Sequence, residues 1–384
     1  LYVEETSDPK IEILETNNRV PWSGHMASYA IRDIYQKIKK SSLTIIFVNT
    51  RAQAELVFNK LWQENYNNLR IAIHHGSLEK EIRRKVESLM SLGKIDCVVA
   101  TSSLDLGIDW GDVDLVVQIG SPKGISRFLQ RIGRSNHRFD EPSNALLVPS
   151  NRFEYLECLS AINSIKNKLL DETKEKQGSL DVLAQHILGV ACSEPFQVDE
   201  LYNQVINAWP YRNLTKIKFF EVLEFVKNGG YSLKHYEQYS KIGVNKDKFY
   251  AINNKSVRNR YRLNVGTIVE SYMLKVKLGN KTLGQLEEWF IEGLNEGDTF
   301  LFSGRVLEYQ SISNNNVIVK STSHTHPKIP SYAGGRLPLS TELSFEVRKL
   351  LSKKQFWKNF PNQINEWLKL QSKFSNLPSL NGLL

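Results

Sequence analysis

Two arginines one helical turn apart, Arg131 and Arg134, close a stretch that opens with the strand-end hydroxyls Thr101 and Ser102 and turns through Gly107-Ile108-Asp109. The guanidinium fork binds phosphate bidentately and keeps its charge at any physiological pH. Hydroxyls, an acid and paired arginines in this order read as half of a nucleotide phosphate site. The i, i+3 spacing places both arginines on one helix face, with Gln130 beside them in the same cleft. An arginine that reaches a transferring phosphate in this way is typically worth about 10³–10⁵ in rate. The plainer alternative is a solvated basic helix end.

A second set of residues addresses a different anion. Thr50-Arg51, Gly76-Ser77 and Thr101-Ser102 each stand where a buried strand hands over to a helix. Hydroxyls and free N–H groups at helix N-termini hold phosphates. Three such junctions along one sheet edge would follow the backbone of a nucleic-acid strand. Any one of them taken singly is also an ordinary helix N-cap. The neighbouring His74-His75 pair has no third ligand at metal spacing, so no metal site is expected.

These positions need a scaffold of alternating elements. Continuous apolar runs at residues 44–48, 70–73, 96–100, 115–119 and 145–149 read as buried parallel strands. Helical stripes at 26–38, 51–62, 79–92 and 125–134 fall between them. The order implies an α/β RecA-like lobe, a doubly wound parallel sheet whose active loops lie at the strand C-termini. Short helices at 181–189, 198–208 and 216–227, then Gly229-Gly230, read as a winged helix. Extended runs at 261–270, 272–278, 299–309 and 317–321 read as a β-rich, barrel-like domain, with one helix at 282–294 and a hairpin turn at Asn314-Asn315-Asn316. Helices at 340–351 and 355–374 close the chain. The expected boundaries are a connector 1–24, the lobe 25–160, a connecting helix and winged helix 161–260, the β-rich domain 261–345, and a helical segment 346–384.

The 384 residues carry a net charge of +9 and a pI near 9.2, a balance that favours nucleic acid as partner. Three widely spaced cysteines fit a reducing compartment, and no apolar run is long enough to span a membrane, so the expected location is cytoplasmic. There is no G-x-x-x-x-G-K-[ST] loop and no D-E-x-H. The chain begins with Leu, and the expectation is a fragment that starts after a first lobe. Weaker signals are Trp209, Tyr211 and Arg212, placed to stack on or grip a strand or simply to pack, and the basic run Lys255, Arg258, Arg260 and Arg262.

The order ATSSLDLGID…QRIGR (100–109, 130–134) resembles motifs V and VI of superfamily 2 helicases. YRLNVGTIVE, GDTFLFSGRVLEYQ and HPKIPSYAGGRLPLST look like the Lhr-type DNA helicases. RVPWSGHM, QRIGRSNHRFDEPS and EWLKLQSKFSNLP look most like their bacterial ligase-associated branch. The resemblance implies the C-terminal half of an ATP-dependent, 3′-to-5′ DNA helicase acting in DNA repair. It implies ATP with Mg²⁺ as cofactor, bound mainly by a first lobe outside this chain. Expected partners are single-stranded or tailed duplex DNA and that first lobe, with an ATP-dependent DNA ligase and a repair nuclease as further companions. By the same resemblance Gly107 and Asp109 lie near the ribose and the attacking water. Motif VI commonly carries a third arginine three residues after the second; His137 stands at that place and Arg138 one position later, and by the resemblance either could serve. The full-length enzyme is an ATP hydrolase in this reading, and the present chain alone is inactive. A non-catalytic DNA-binding or regulatory module and an RNA helicase fragment are the alternatives.

Overall fold

The computed structural model describes residues 8–24, 26–105, 113–135, 142–171, 177–230, 233, 236, 240–264, 266, 272–324, 326–332, 338–377 and 379–380. They divide into two compact units, Leu1–Glu172 with Ser271–Leu384, and Thr173–Glu270.

The first unit is organised by a six-stranded, all-parallel sheet. Its strands are β1 (Lys10–Ile13), β2 (Thr44–Phe47), β3 (Ile71–His74), β4 (Cys97–Ala100), β5 (Leu115–Ile119) and β6 (Asn144–Val148), in the order β1-β6-β5-β2-β4-β3. Helices α1 (Ile31–Ile38), α2 (Arg51–Gln63), α3 (Lys80–Ser91), α4 (Ile125–Ile132) and α5 (Arg152–Lys166) cover its faces. The period-two geometry of a strand sends neighbours to opposite faces. Ile46 joins the α1–α2 core, whereas Ile45 and Phe47 pack with Val86 and Met90 of α3. Both faces are covered, which is why these strands read as unbroken apolar runs.

The connector expected at 1–24 is corrected here. β1 lies inside it and pairs in parallel with β6, Lys10 opposite Asn144 through Ile13 opposite Leu147. Its half-exposed alternation, with only Ile11 and Ile13 packed on the core, is the signature of a short edge strand and too brief to stand out from a polar linker.

The second unit holds α6 (Leu180–Ser193), α7 (Val198–Ile206), α8 (Lys216–Asn228) and α9 (Lys255–Leu263) with a small antiparallel sheet of β7 (Phe196–Gln197), β8 (Ile242–Val244) and β9 (Phe249–Ile252). Three helices and a three-stranded wing make a winged helix around a core of Leu183, Ile187, Leu201, Phe219 and Leu223. Thr215 caps the start of α8 by accepting from Lys218 N, and Gly229 ends it at φ 79°. The extended run expected at 261–270 is overturned at its beginning. Asn254 caps α9 by accepting from Val257 N, so Tyr261–Leu263 are helical, and the helix crosses the boundary expected at 260. Residues 265 and 267–270 lie outside the described residues.

The chain then returns to the first unit. Strands β10 (Met273–Leu278), β11 (Lys281–Glu287), β12 (Thr299–Phe302), β13 (Arg305–Ser313) and β14 (Asn316–Ser321) form a mixed sheet in the order β11-β10-β14-β13-β12, with the short helix α10 (Glu288–Glu292) between β11 and β12. The helix expected at 282–294 is therefore strand in its first half. Leu283, Leu286 and Phe290 have helical spacing, but pairing with β10 prevails. The run at 299–309 is two strands reversing at Ser303-Gly304. Asn314 and Asn315, both at positive φ, turn β13 into β14. Helices α11 (Thr341–Ser352) and α12 (Asn362–Phe374) pack with α5 around Leu156, Leu351, Trp357 and Trp367.

This sheet docks directly on the parallel lobe. Glu79 N donates to Leu283 O at 3.0 Å and Gln285 N to Ser77 O at 2.9 Å. Gly284 between them sits at φ +154°, and a Cβ there would meet Ser77 O at 2.1 Å. Buried Glu55 of α2 accepts from Ser303 N at 2.6 Å and Gly304 N at 2.8 Å, and pairs with His75 Nε2 at 3.0 Å. Gly284→Ala combines backbone strain with overpacking, each costly in a dense interior. It is expected to destabilise the chain by about 2 kcal/mol or more, read as a lower midpoint in thermal and urea unfolding.

Candidate nucleotide and nucleic-acid interface

Arg131 and Arg134 leave the end of α4 for different surroundings. Arg131 is 2% exposed. Its Nε donates to Asp105 Oδ1 at 2.8 Å, Nη2 to Asp105 Oδ2 at 3.2 Å and Nη1 to Gln118 Oε1 at 2.7 Å. Its guanidinium lies 4.9 Å from the Phe47 ring centroid. A desolvated charge is tolerated only when paired and fully hydrogen-bonded, and Arg131 meets that demand inside the lobe. In this arrangement it is a buried strut that ties α4 to Asp105, beyond the end of β4, and to Gln118 of β5.

Arg134 is half-buried and donates from Nη2 to the Asp105 carbonyl at 2.9 Å. Gln130 is exposed on the last turn of α4, whereas Arg134 follows the Gly133 cap. Asp105 thus holds one arginine by its carboxylate and the next by its backbone. Arg127 adds a longer approach to the same carboxylate, 3.9 Å. Gly107, Asp109, Arg138 and His137 lie outside the described residues.

The three strand-to-helix junctions do fall at the C-terminal ends of adjacent parallel strands, β3, β4 and β2. They are not equally open. Thr50 is exposed, and its hydroxyl accepts from Gln53 N in a capping box. Gly76 and Ser102 are exposed, and nothing lies within 4 Å of a Cβ built on Gly76. Thr101 is 8% and Ser77 5% exposed. Ser77 lies where β11 docks: its carbonyl accepts from Gln285 N and its Oγ accepts from Arg51 Nη1 at 2.9 Å. Arg51 also lies 3.6 Å from Glu287 Oε1, with its guanidinium 5.4 Å from the Tyr332 ring centroid. Burial, with the Glu55 and Glu287 carboxylates nearby, raises the Tyr332 phenol pKa well above its ordinary value, against the lowering effect of Arg51.

Sequence reasoning missed Asp105, Gln118, Glu55 and Glu287. Each is a polar residue inside or beside an apolar run, which was the available signal, since buried acids require partners. His74 also has partners: Nδ1 faces Ser103 Oγ at 2.8 Å and Nε2 faces Glu87 Oε1 at 3.0 Å. Desolvation lowers its pKa, only partly offset by Glu87. In the winged helix, Arg212 stacks 3.6 Å from the ring centroid of Trp209, which is 62% exposed. Tyr211 donates instead to Ser179 O, and Arg258 Nε to Cys192 O.

Residues 28–139 match the model of the helicase conserved C-terminal domain. A parallel sheet with the Gln130–Arg134 sequence at the end of its fourth helix is thus a domain of the helicase C-terminal type. Residues 163–329 match the winged helix domain of large helicase-related proteins. The chain is 37% identical over 316 residues to ATP-dependent helicase Lhr-Core protein 2 of Thermococcus barophilus, covering 81% of this chain and 36% of that protein. It is 36% identical over 312 residues to the Lhr-Core helicase of Methanocaldococcus jannaschii, with the same two coverages. The fold matches the structure of Mycobacterium smegmatis helicase Lhr bound to ssDNA and AMP-PNP, with TM-score 0.62, 23% identity, and coverage of 95% of this chain and 46% of that one. The chain belongs to the Lhr helicase family. It spans little more than a third of the length of these curated relatives. No helix among the described residues is long and apolar enough to cross a membrane.

The two arginines should respond differently to truncation. Arg131→Ala strands the buried Asp105 carboxylate and is expected to cost about 3–5 kcal/mol, whereas Arg134→Ala changes chemical-denaturation midpoints far less. The His74 pKa is lower in the folded chain than in the unfolded one, so below the ordinary imidazole value of about 6.5 the unfolded state binds the extra proton. His74 therefore contributes fully above that pH and its contribution falls as pH drops below it. Melting curves from pH 7.5 to 5 will show a slope that His74→Asn flattens.

Proposed function

We propose that this chain is the C-terminal half of an ATP-dependent DNA helicase of the Lhr type. In the complete protein its lobe closes on a first lobe that binds ATP. Arg134 is the arginine finger and Gln130 supports it from the exposed side of α4. Arg131 positions both by anchoring the helix end on Asp105. The observation that carries this reading is the division of labour at Asp105: one guanidinium is locked inside, and the next is held beside it at a half-buried position. Gly107, Asp109 and Arg138 keep their proposed places near the nucleotide by resemblance alone.

Among the described residues no three His, Cys, Asp or Glu side chains converge as a metal cage. In this reading the lobe offers the nucleotide hydrogen-bond donors, and the Mg²⁺ that neutralises the phosphates when bound is held from the first-lobe side. The donor set fits that division, because Arg134 is cationic and Gln130 carries an amide.

The DNA strand runs along the strand C-termini in this reading. Thr50, Arg51, Gly76, Ser102 and the flanking backbone N–H groups contact its phosphates, and Ser77 and Thr101 support them from beneath. The net charge of +9 favours the encounter. Relatives bearing the Lhr name are called ATP-dependent helicases, and solved neighbours are described as bound to ssDNA or DNA. We carry the 3′-to-5′ direction, a place in DNA repair and association with a ligase and a nuclease as proposals from the sequence phrases of the ligase-associated branch.

In a protein completed with its first lobe, Arg134→Ala will lower DNA-stimulated ATP turnover by about 10³-fold or more with little change in DNA affinity. Equal loss of affinity and rate would make Arg134 a DNA contact instead. The chain alone will bind single-stranded DNA weakly, with a log–log salt slope of about −0.7 for each phosphate contact. Fluorescence anisotropy at several salt concentrations reads this slope, and binding indifferent to salt would contradict the phosphate-track reading.

A further inference from the structure

We infer that Glu287 and Tyr332, both outside the parallel lobe, are positioning residues that hold Arg51 in the geometry of a strand-phosphate grip. The inference rests on the proposed DNA track and adds to it a clamp supplied by the segment that follows the winged helix.

The Glu287 side chain is 3% exposed, and its Oε1 lies 3.6 Å from Arg51 Nη1. Its Oε2 is buried with no hydrogen-bond partner among the described residues. A desolvated carboxylate is costly unless a cation compensates it, and Arg51 is the cation placed to do so. At 3.6 Å the attraction is coulombic, so it fixes the guanidinium without using up its donors. The Tyr332 ring forms a second wall, 5.4 Å from the guanidinium carbon. Ser77 Oγ takes one bond from Nη1 at 2.9 Å. Among the described residues, Arg51 Nε and Nη2 have no bonded partner, and 37% of the side chain is exposed.

An arginine held along one edge and one face, with its other donors unspent, is organised in advance for bidentate contact with a phosphate oxygen pair. Preorganisation of this kind raises affinity by removing the entropy lost when a long side chain is immobilised. A purely structural pair predicts something different. Glu287 is a negative charge beside a proposed polyanion track, so its neutralisation would then leave DNA affinity unchanged or raise it.

The test uses the whole chain and a fluorescent oligothymidylate strand, titrated at several salt concentrations, with thermal melting of every variant alongside. Arg51→Ala is expected to weaken binding and make the salt slope shallower by about 0.7. Glu287→Gln is expected to weaken binding about fivefold although it removes a negative charge, and to add nothing in an Arg51→Ala background. Tyr332→Leu is expected to weaken binding similarly, with Tyr332→Phe retaining it because the ring is kept. Weakening by Arg51→Ala with unchanged or tighter binding by Glu287→Gln and Tyr332→Leu would overturn the positioning role and leave the DNA track standing. Unchanged binding by Arg51→Ala would overturn both.

Discussion

A guanidinium sunk among apolar strands has to be neutralised where it sits, and the architecture around Arg131 follows from that demand. Asp105 must end the turn after β4, Gln118 must face inward from β5, and Phe47 of β2 must offer its ring. Three strands and a helix are thereby fixed to one point. The continuous apolar pattern of the sheet makes the interior dry, and dryness makes the ion pair exacting. The same Asp105 then receives Arg134 through its carbonyl, so the placement of the more exposed arginine is inherited from the buried one.

A comparable logic joins the five-stranded sheet to the lobe. Glu55 on α2 is fully buried and accepts from two backbone N–H groups of the β12–β13 turn. Gly284 brings β11 against Ser77 and Leu78 so closely that no side chain fits. One contact satisfies a charge and the other exploits the lack of a Cβ, and together they make the sheet a continuation of the lobe. Two of the strand-to-helix junctions that look independent in the sequence are consequently tied to this joint, through Ser77 and through Arg51.

The parallel lobe was legible because each buried strand is a run of apolar residues bracketed by helical stripes, and the winged helix because three short helices precede a glycine cap. Legibility failed where long-range pairing outweighs local pattern. Leu283, Leu286 and Phe290 carry a helical period, yet β10 claims residues 281–287 as a strand. β1 has only two inward side chains with which to announce itself. At the candidate site, spacing alone puts Arg131 and Arg134 on one face and cannot say that one has a buried carboxylate waiting. Asp105, Gln118, Glu55 and Glu287 act only through partners distant in sequence, which no local window contains.

The joint at Glu55 also has a history in time. Its backbone partner Gly304 follows it by 249 residues, and the winged-helix unit occupies much of the interval. During synthesis Glu55 therefore has, among the described residues, only His75 Nε2 as its partner long before the turn whose two N–H groups it accepts from has left the ribosome. Contacts of such separation are slow to close, and the winged helix has its own core with which to fold in the meantime. The face around His75, Ser77 and Arg51 therefore receives its contacts from residues 283–287 and 303–304 only after that later segment has been made.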